Sequence, residues 1–293
     1  MNFLGHFYAF LSVFIWSSLY ISTKILLESF DPLELLFLQF IIGYITLFIM
    51  YPKFNISKND IKNPLKFLQK EKNYILAALF GICFYNLFLN LSMIHTNASN
   101  VSVIIATAPL FSALISFIFG IEKPQIYFFL GFFLCIFGIF LLSFNGDFRI
   151  YFNIKGDILA FLSAFSWGVY AVIISKINSQ NLILSTRKII FYGILFILPA
   201  LFFITFDTKI LDSKTLAHLL FLGIFSSGIC FILWNKATQL IGVIHTNIYV
   251  YLTPIITIFA AFIFLDEPLT LYIILGSLIT IFGVLLSEHR LTP

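Results

Sequence analysis

Apolar residues occur along this chain in runs of about 20, and short polar connectors separate one run from the next. A helix of that length crosses the ~30 Å hydrocarbon layer of a bilayer. The pattern therefore predicts an all-α polytopic membrane protein. Ten membrane-spanning helices are predicted, here called spans 1 to 10, at residues 4–27, 32–51, 73–93, 98–120, 125–144, 156–176, 184–206, 215–239, 243–265 and 269–287.

The two halves of the chain are related by a shift of 145 residues. The shift needs no gap, and a match at a fixed period indicates a duplicated structural unit. It brings identical residues into register: Asn90 with Asn235, Pro109 with Pro254, Glu122 with Glu267, Gly131 with Gly276, and Gly138 with Gly283.

Each half contains five predicted spans. Because five is an odd number, the second half must enter the membrane from the opposite side. We therefore predict two inverted five-helix repeats, residues 1–146 and 147–293, which form one integral membrane unit. Inverted repeats are typical of secondary transporters, which bind their substrate near the bilayer midplane between the repeats.

Composition narrows the class further. Hydrophobic residues make up 60% of the chain and charged residues 10%, against about 25% charged residues in soluble domains. The net charge is +4 and the basic residues concentrate in the connector 52–72, which gives little support to nucleic acid binding.

All three cysteines lie in apolar runs and predict neither disulfides nor a metal site. Residues 1–5 contain no Lys or Arg, so span 1 is expected to be retained rather than cleaved as a signal peptide.

Lys and Arg are distributed unevenly between the two sides of the predicted membrane. With the N-terminus inside, the inner loops hold 12 of these 17 residues and the outer loops hold 5. Because cytoplasmic loops are enriched in Lys and Arg, both termini are predicted to be cytoplasmic, in an inner or plasma membrane.

The 13 acidic residues all lie at span ends or in connectors, and the five histidines lie near span ends. The sequence therefore offers no mid-span carboxylate as a proton relay. It also shows no cluster of nucleophile, base or metal ligands at depth, and no Gly-rich phosphate loop. We expect no catalytic residue, no cofactor and no bound metal, and we expect neither an intramembrane enzyme nor an ATP-driven pump.

Aromatic and neutral polar residues occupy the middle of several spans. Trp16 lies near the centre of span 1 and Trp167 near the centre of span 6, although tryptophan is usually found at the membrane interface. Asn86 and Asn90 share one face of span 3 because they are four residues apart. Two interpretations stay open: these residues line a substrate cavity, or the tryptophans pack within the bundle and the amides hydrogen-bond neighbouring helices.

A small-molecule pocket usually combines flat apolar walls with a few hydrogen-bonding groups. The cavity interpretation requires a small-molecule substrate, with membrane lipid around the bundle. Its predicted substrate-binding residues are Trp16, Tyr20, Gln39, Tyr85, Asn86, Trp167, Tyr170, Asn247 and Tyr251.

Pro109 and Pro254 lie mid-span in spans 4 and 9. Each proline removes a backbone hydrogen bond and predicts a kink, which is either static or a moving hinge. Glu122 and Glu267 precede spans 5 and 10 and are interpreted as helix caps. The glycines that recur in spans 5 and 10 would permit close contact between helices.

Three ordered features extend over the whole chain. A Trp-containing span opens each half. The segment 235–242, Asn-Lys-Ala-Thr-Gln-Leu-Ile-Gly, leads to Leu252-Thr253-Pro254. The segment 264–270, Phe-Leu-Asp-Glu-Pro-Leu-Thr, is followed by Gly276 and Gly283. In this ordered set the chain resembles EamA-type proteins of the drug/metabolite transporter superfamily.

That resemblance implies a central cavity lined mainly by spans 1–4 and 6–9, with spans 5 and 10 at the periphery. It also implies export or uptake of small metabolites, often amino acids. Such proteins commonly carry an Arg on span 2, where the nearest polar residue here is Gln39. Since that Arg is missing, a neutral or zwitterionic organic substrate fits better than an anion.

The resulting hypothesis is a secondary transporter, in the direction of export, that works by alternating access around a central cavity. The alternative is a non-transporting membrane receptor or scaffold built on the same helix bundle.

Overall fold

The computed structural model describes residues 3–53, 64–118, 126–144, 153–174, 176–177, 181–203 and 212–288. Within these residues all regular secondary structure is helical. We number the helices α1 to α10 in chain order. They are α1 (Phe3–Leu26), α2 (Pro32–Met50), α3 (Pro64–Ala77, Ala78–Phe84 and Tyr85–His95), α4 (Ala98–Ile105 and Ala108–Ile118), α5 (Ile126–Phe144), α6 (Ile154–Ile174), α7 (Leu182–Ile197 and Leu198–Phe203), α8 (Ser213–Leu220, Phe221–Ile229 and Cys230–Asn247), α9 (Ile248–Tyr251 and Leu252–Phe264) and α10 (Leu271–Glu288).

Seven stretches of the described residues are long and apolar enough to cross a membrane as helices. They are Phe3–Leu26, Pro32–Met50, Phe67–His95, Ala98–Ile115, Ile154–Ile174, Leu182–Phe202 and Ser213–Ile241. Three further helices are apolar but shorter: Phe129–Gly138, Leu252–Phe264 and Leu271–Gly283. The protein is therefore a multi-pass, all-helical membrane protein.

Side-chain caps fix where several helices begin. The Asp31 carboxylate accepts the backbone N–H of Leu33 at 2.8 Å, and Pro32 occupies the first turn of α2. Proline suits that position because its missing N–H would have no partner inside the helix. In the same way, the Asp212 carboxylate accepts the N–H of Thr215 at 2.8 Å and starts α8.

Helix α3 begins at Pro64, nine residues before the predicted start at residue 73. The last part of the Lys-rich connector is thus helical and continuous with the membrane span. Glu71 explains why this extension packs against the bundle: it is 1% exposed, and it forms an ion pair of 2.6 Å with Lys188 of α7. Its second oxygen lies 3.4 Å from the hydroxyl group of Tyr192.

Helices α3 and α8 each contain a π-helical segment, at Ala78–Phe84 and Phe221–Ile229. The 145-residue shift carries residues 78–84 onto 223–229, so the two segments occupy equivalent positions in the sequence. A π-helical turn changes which backbone groups pair, and such turns are frequent at functional sites.

Both mid-span prolines lie in interrupted helices. A turn at residues 106–107 divides α4 just before Pro109, and a 3₁₀ turn at Ile248–Tyr251 opens α9 just before Pro254. In α4 the Leu110 N–H bonds to the Thr107 carbonyl at 2.9 Å, and the Thr107 hydroxyl donates to the Ile104 carbonyl at 2.6 Å. Whether the prolines move as hinges stays a prediction.

Helix α1 runs antiparallel to the second part of α8. A Cβ added at Gly5 would lie 2.5 Å from the side chain of Ile241. Further along α1, the Cys230 thiol donates to the Ser12 carbonyl at 3.1 Å.

The same helix runs parallel to α9. His6 Nδ1 lies 3.0 Å from the Tyr249 hydroxyl, and the Thr257 hydroxyl donates to the Ser17 carbonyl at 3.3 Å. The chain therefore reverses direction between residues 241 and 249, so that α8 and α9 are neighbouring antiparallel helices against α1.

Helix α6 makes the corresponding contacts with α3 and α4. The Ser163 hydroxyl donates to the Tyr85 carbonyl at 2.8 Å. A Cβ added at Gly168 would lie 2.6 Å from the Cβ of Phe111 in α4. The opening helix of each half of the chain thus packs against the third and fourth helices of the other half.

Helices α5 and α10 pack closely at paired glycines. A Cβ added at Gly138 would lie 2.3 Å from the hydroxyl oxygen of Thr280. A Cβ added at Gly283 would lie 2.7 Å from the Gly131 carbonyl and 2.8 Å from the Cys135 sulfur. Because no side chain larger than hydrogen fits at either position, the repeated glycines set the distance between these two helices.

Candidate functional site

A cavity lies where α1, α2, α3, α4, α6, α8 and α9 meet. Its volume is about 80 Å³. A single water molecule needs roughly 10–15 Å³ of the same kind of volume. The cavity can therefore hold several waters or part of a small organic molecule. Its walls come from both halves of the chain.

Aromatic rings form much of the wall. Trp16 and Trp167 lie edge to face, with ring centroids 5.9 Å apart and planes at 82°. Tyr85 lies 4.8 Å from Trp167, and Phe231 lies 5.5 Å from Trp16. Phe40 of α2 also lines the cavity. The two central tryptophans thus contact each other across the halves of the chain, and both line the cavity.

Tyr20 joins this wall from α1. It is buried, lines the cavity and interacts through its hydroxyl group with the hydroxyl group of Tyr85 on α3.

The two asparagines of α3 have different surroundings. The Asn86 amide donates to the carbonyls of Gly81 and Ile82, at 3.1 and 3.0 Å, both of which belong to the π-helical segment. Asn86 lines the cavity, and its Oδ1 is the atom that can still accept. Asn90 donates to the Pro32 carbonyl of α2 at 3.2 Å and does not line the cavity, so it joins two helices.

Ser226 and Ser227 bring polar atoms from the π-helical segment of α8. Both are buried and both line the cavity. The Ser226 carbonyl accepts the indole N–H of Trp16 at 3.3 Å. The Ser226 hydroxyl is fully buried and has no hydrogen-bond partner among the described residues.

No Lys, Arg, His, Asp or Glu lies among the described residues that line the cavity. The charged group of α1 acts elsewhere. Lys24 of α1 donates to the carbonyls of Met93 and Thr96, at 2.9 Å for Thr96, at the end of α3. The described residues also contain no cluster of three potential metal ligands. The site is therefore electrically neutral.

Glu267 binds the start of α4 from the turn between α9 and α10. Its carboxylate accepts the N–H of Ala98 at 2.8 Å, the N–H of Ser99 at 3.2 Å and the Ser99 hydroxyl at 2.6 Å. The sequence predicted a cap on the helix that follows Glu267, whereas the helix it caps is 169 residues earlier. Negative charge at a helix N-terminus is favourable in either case.

Two other predicted site residues, Gln39 and Tyr170, do not line the cavity. Gln39 is 2% exposed, and its backbone carbonyl lies 3.2 Å from a Cβ added at Gly223 of α8. The Tyr170 ring is buried against Gly81, where an added Cβ would lie 2.3 Å from the ring. Pro109 lines the cavity, whereas Pro254 is buried next to it in α9. The side chains of Asn247 and Tyr251 lie outside the described part of the structure.

Sequence reasoning missed Ser226, Ser227, Ser112, Phe40 and Phe231 as wall residues. A signal existed for the first two, because Ser226-Ser227 is a polar pair in the middle of an apolar span. The others resemble ordinary core residues in their spans, and nothing in the pattern distinguishes them.

Comparison with known proteins agrees with this architecture. The model of the EamA-like transporter family matches the chain twice, over residues 3–144 and 154–288. An uncharacterized transporter of Archaeoglobus fulgidus is 28% identical over 99% of both chains. The uncharacterized transporter YdfC of Bacillus subtilis is 26% identical, over 94% of this chain and 87% of the relative.

Two further similarities bear on substrate and fold. A protein of Streptantibioticus cattleyicolor named "Probable terminal-alkyne amino-acid exporter" is 26% identical over 73% of this chain and 72% of its own length. A solved crystal structure with 16% identity has a TM-score of 0.65 and covers 98% of this chain and 99% of that chain. At that identity the second similarity concerns the fold alone. Since the family model covers nearly the whole chain, the protein belongs to the EamA-like transporter family.

Proposed function

We propose that the protein is a secondary transporter that exports a small neutral or zwitterionic organic metabolite, such as an amino acid. The observation that carries this proposal is the neutral, aromatic cavity at the centre of the bundle. A fixed charge at this depth is costly, and its absence favours substrates without net charge. The name of the Streptantibioticus cattleyicolor relative supports amino acids as the class to test first.

The proposed mechanism is alternating access between two inverted five-helix repeats, residues 1–146 and 147–293. Three observations support the repeat: the family model matches each half, the π-helical segments fall at equivalent positions, and the glycines of α5 and α10 make reciprocal contacts. In this mechanism Trp16, Tyr20, Tyr85, Asn86 and Trp167 contact the substrate.

The remaining parts of the proposal concern movement and location. Pro109 and Pro254 act as hinges because both lie in interrupted helices next to the cavity. All ten helices cross the inner or plasma membrane, and the excess of Lys and Arg on one side favours cytoplasmic termini.

Counterflow in proteoliposomes tests this function, because exchange requires no knowledge of a coupling ion. Vesicles are loaded with unlabelled amino acids, and uptake of the labelled compounds is measured. We expect uptake of at least one neutral amino acid, and a loss of that uptake in Trp167→Ala. A folded protein with no exchange for any amino acid or related amine would favour the receptor or scaffold alternative.

A further inference from the structure

The π-helical turns of α3 and α8 contain equivalent carbonyl groups that are used differently. Under the 145-residue shift Gly81 corresponds to Ser226. The Ser226 carbonyl accepts the indole N–H of Trp16 at 3.3 Å. The Gly81 carbonyl instead accepts the amide of Asn86 at 3.1 Å. The carbonyl on α3 that corresponds to the acceptor of Trp16 therefore binds an amide of its own helix.

The indole N–H of Trp167 is uncommitted among the described residues. Its ring contacts Trp16, Tyr85 and Tyr170, but no acceptor for Nε1 is found among the described residues. The indole nitrogen can only donate. Since the side chain lines the cavity, this wall offers a hydrogen-bond donor to a molecule bound there.

The Ser226 hydroxyl is the second uncommitted group. The residue is 1% exposed and lines the cavity, and its Oγ lacks a partner in the described part of the chain. Its backbone is held in place because the carbonyl binds Trp16. A buried hydroxyl without a partner is unfavourable, so a ligand atom that supplies the partner gains binding free energy.

We propose that Trp167 Nε1 and Ser226 Oγ bind the polar head group of the transported molecule, and that this head group carries a carbonyl or carboxylate oxygen. The inference rests on the transport function proposed above. The oxygen accepts from both donors, and Asn86 Oδ1 accepts an N–H of the same molecule. Trp16 contacts the molecule through its ring alone, because its own N–H is held by the Ser226 carbonyl. A phosphate is disfavoured because the described residues of the wall include no Lys or Arg.

The head-group assignment is tested with matched ligands. The twenty amino acids, their amides and the corresponding decarboxylated amines are screened by thermal stabilisation of the purified protein, since a ligand that binds the folded state raises the melting temperature. We expect stabilisation by compounds that retain the oxygen and none by the matched amines. Stabilisation by acids alone identifies a carboxylate, and stabilisation by amides as well identifies a carbonyl oxygen.

The role of the indole N–H is tested by isosteric replacement. β-(3-Benzothienyl)alanine keeps the ring shape and lacks the N–H, and it is placed at Trp167 or, as the matched control, at Trp16. At Trp167 we expect the Kd of the best ligand to rise roughly tenfold, with the melting temperature of the free protein unchanged. At Trp16 we expect the free protein to melt at a lower temperature, because the Ser226 carbonyl loses its partner.

Ser226→Ala is expected to raise the same Kd roughly tenfold. Its control is Ser17→Ala, since the Ser17 hydroxyl is buried outside the cavity and donates to the Val13 carbonyl at 2.7 Å. An unchanged Kd in both the Trp167 and Ser226 variants would overturn the assignment, and so would tight binding of the matched amines. Counterflow of an amine would still support transport, so the two proposals fail separately.

Discussion

Gly138 and Gly283, which are 145 residues apart, hold equivalent places in one contact between α5 and α10. Gly138 faces Thr280, and Gly283 faces Cys135, the residue that corresponds to Thr280 under the same shift. The contact is thus reciprocal: each helix presents the same kind of surface to the other.

Replacement of Gly138 by Ala should weaken this contact. The added Cβ would lie 2.6 Å from the Thr280 backbone nitrogen, so α5 and α10 must move apart. We expect a loss of about 1–3 kcal/mol of stability, measured as a lower melting temperature in detergent. Gly228→Ala is the control, because the nearest atoms there lie at an ordinary 3.4 Å. Equal melting temperatures in the two variants would contradict the proposed packing.

Glu267→Gln should lower stability and leave transport in place. The carboxylate accepts three hydrogen bonds from Ala98 and Ser99, and the glutamine NH₂ cannot accept. We expect a cost of roughly 1–3 kcal/mol. Asp266→Asn is the matched control, since Asp266 is exposed and has a positive φ of 52°, which Asn tolerates. Loss of flux in well-folded Glu267→Gln would show that this carboxylate takes part in coupling.

Stability should depend on Asp212 at acid pH. Its hydrogen bonds to Thr215 hold the pKa of the Asp212 carboxyl below the ordinary 3.8. The ionised form is therefore favoured by folding, and its contribution is present above the unfolded pKa and is lost as the pH falls through the folded pKa. Thermal unfolding at pH 6 and pH 3 would measure this loss, which should be smaller in Asp212→Asn because that variant keeps a capping oxygen without titrating.

The central tryptophans should matter more for binding than the third one. Trp16 and Trp167 line the cavity, whereas Trp234 touches Trp16 with centroids 5.2 Å apart and does not line it. We expect Trp16→Ala and Trp167→Ala to raise the ligand Kd by roughly tenfold or more, and Trp234→Ala to raise it less. Equal effects from all three would indicate general packing.

The predicted orientation can be measured by labelling. Single cysteines are placed at Lys62 and Lys155 in a protein that lacks its three native cysteines, and intact cells are treated with an impermeant thiol reagent. We expect labelling at position 155 and protection at position 62. The reverse pattern would place both termini outside.

The sequence pattern predicted those cavity residues that are polar or aromatic and lie in the middle of an apolar span. Trp16, Tyr85, Asn86 and Trp167 attract notice because polar and aromatic groups are unusual in the middle of apolar spans, and all four lie on one cavity wall. The same argument selected Tyr170 and Gln39, which do not line the cavity: the Tyr170 ring packs against Gly81, and Gln39 is buried. Depth along a helix is read from the sequence, whereas the direction in which a side chain points depends on its neighbours.

The π-helical turns and the hydrogen-bond partners of Glu267 could not be predicted from the sequence pattern. A π-helical turn arises from tertiary packing, and no local residue type marks Ala78–Phe84 as different from an α-helix. Glu267 precedes a helix and therefore looks like a local cap, although its partners are the distant Ala98 and Ser99. Ser226 became a candidate only when the structure showed that its carbonyl binds Trp16 and that its buried hydroxyl has no partner among the described residues.

The exchange of partners between the two halves has a consequence for biosynthesis. Helix α1 leaves the ribosome first, yet its contacts include those with Cys230 and Thr257, more than 200 residues later. The early helices must wait in the bilayer, incompletely packed, until the last third of the protein has been inserted. Each half made alone would lack the surfaces it needs, whereas two fragments divided near residue 150 and produced in one cell would complete each other.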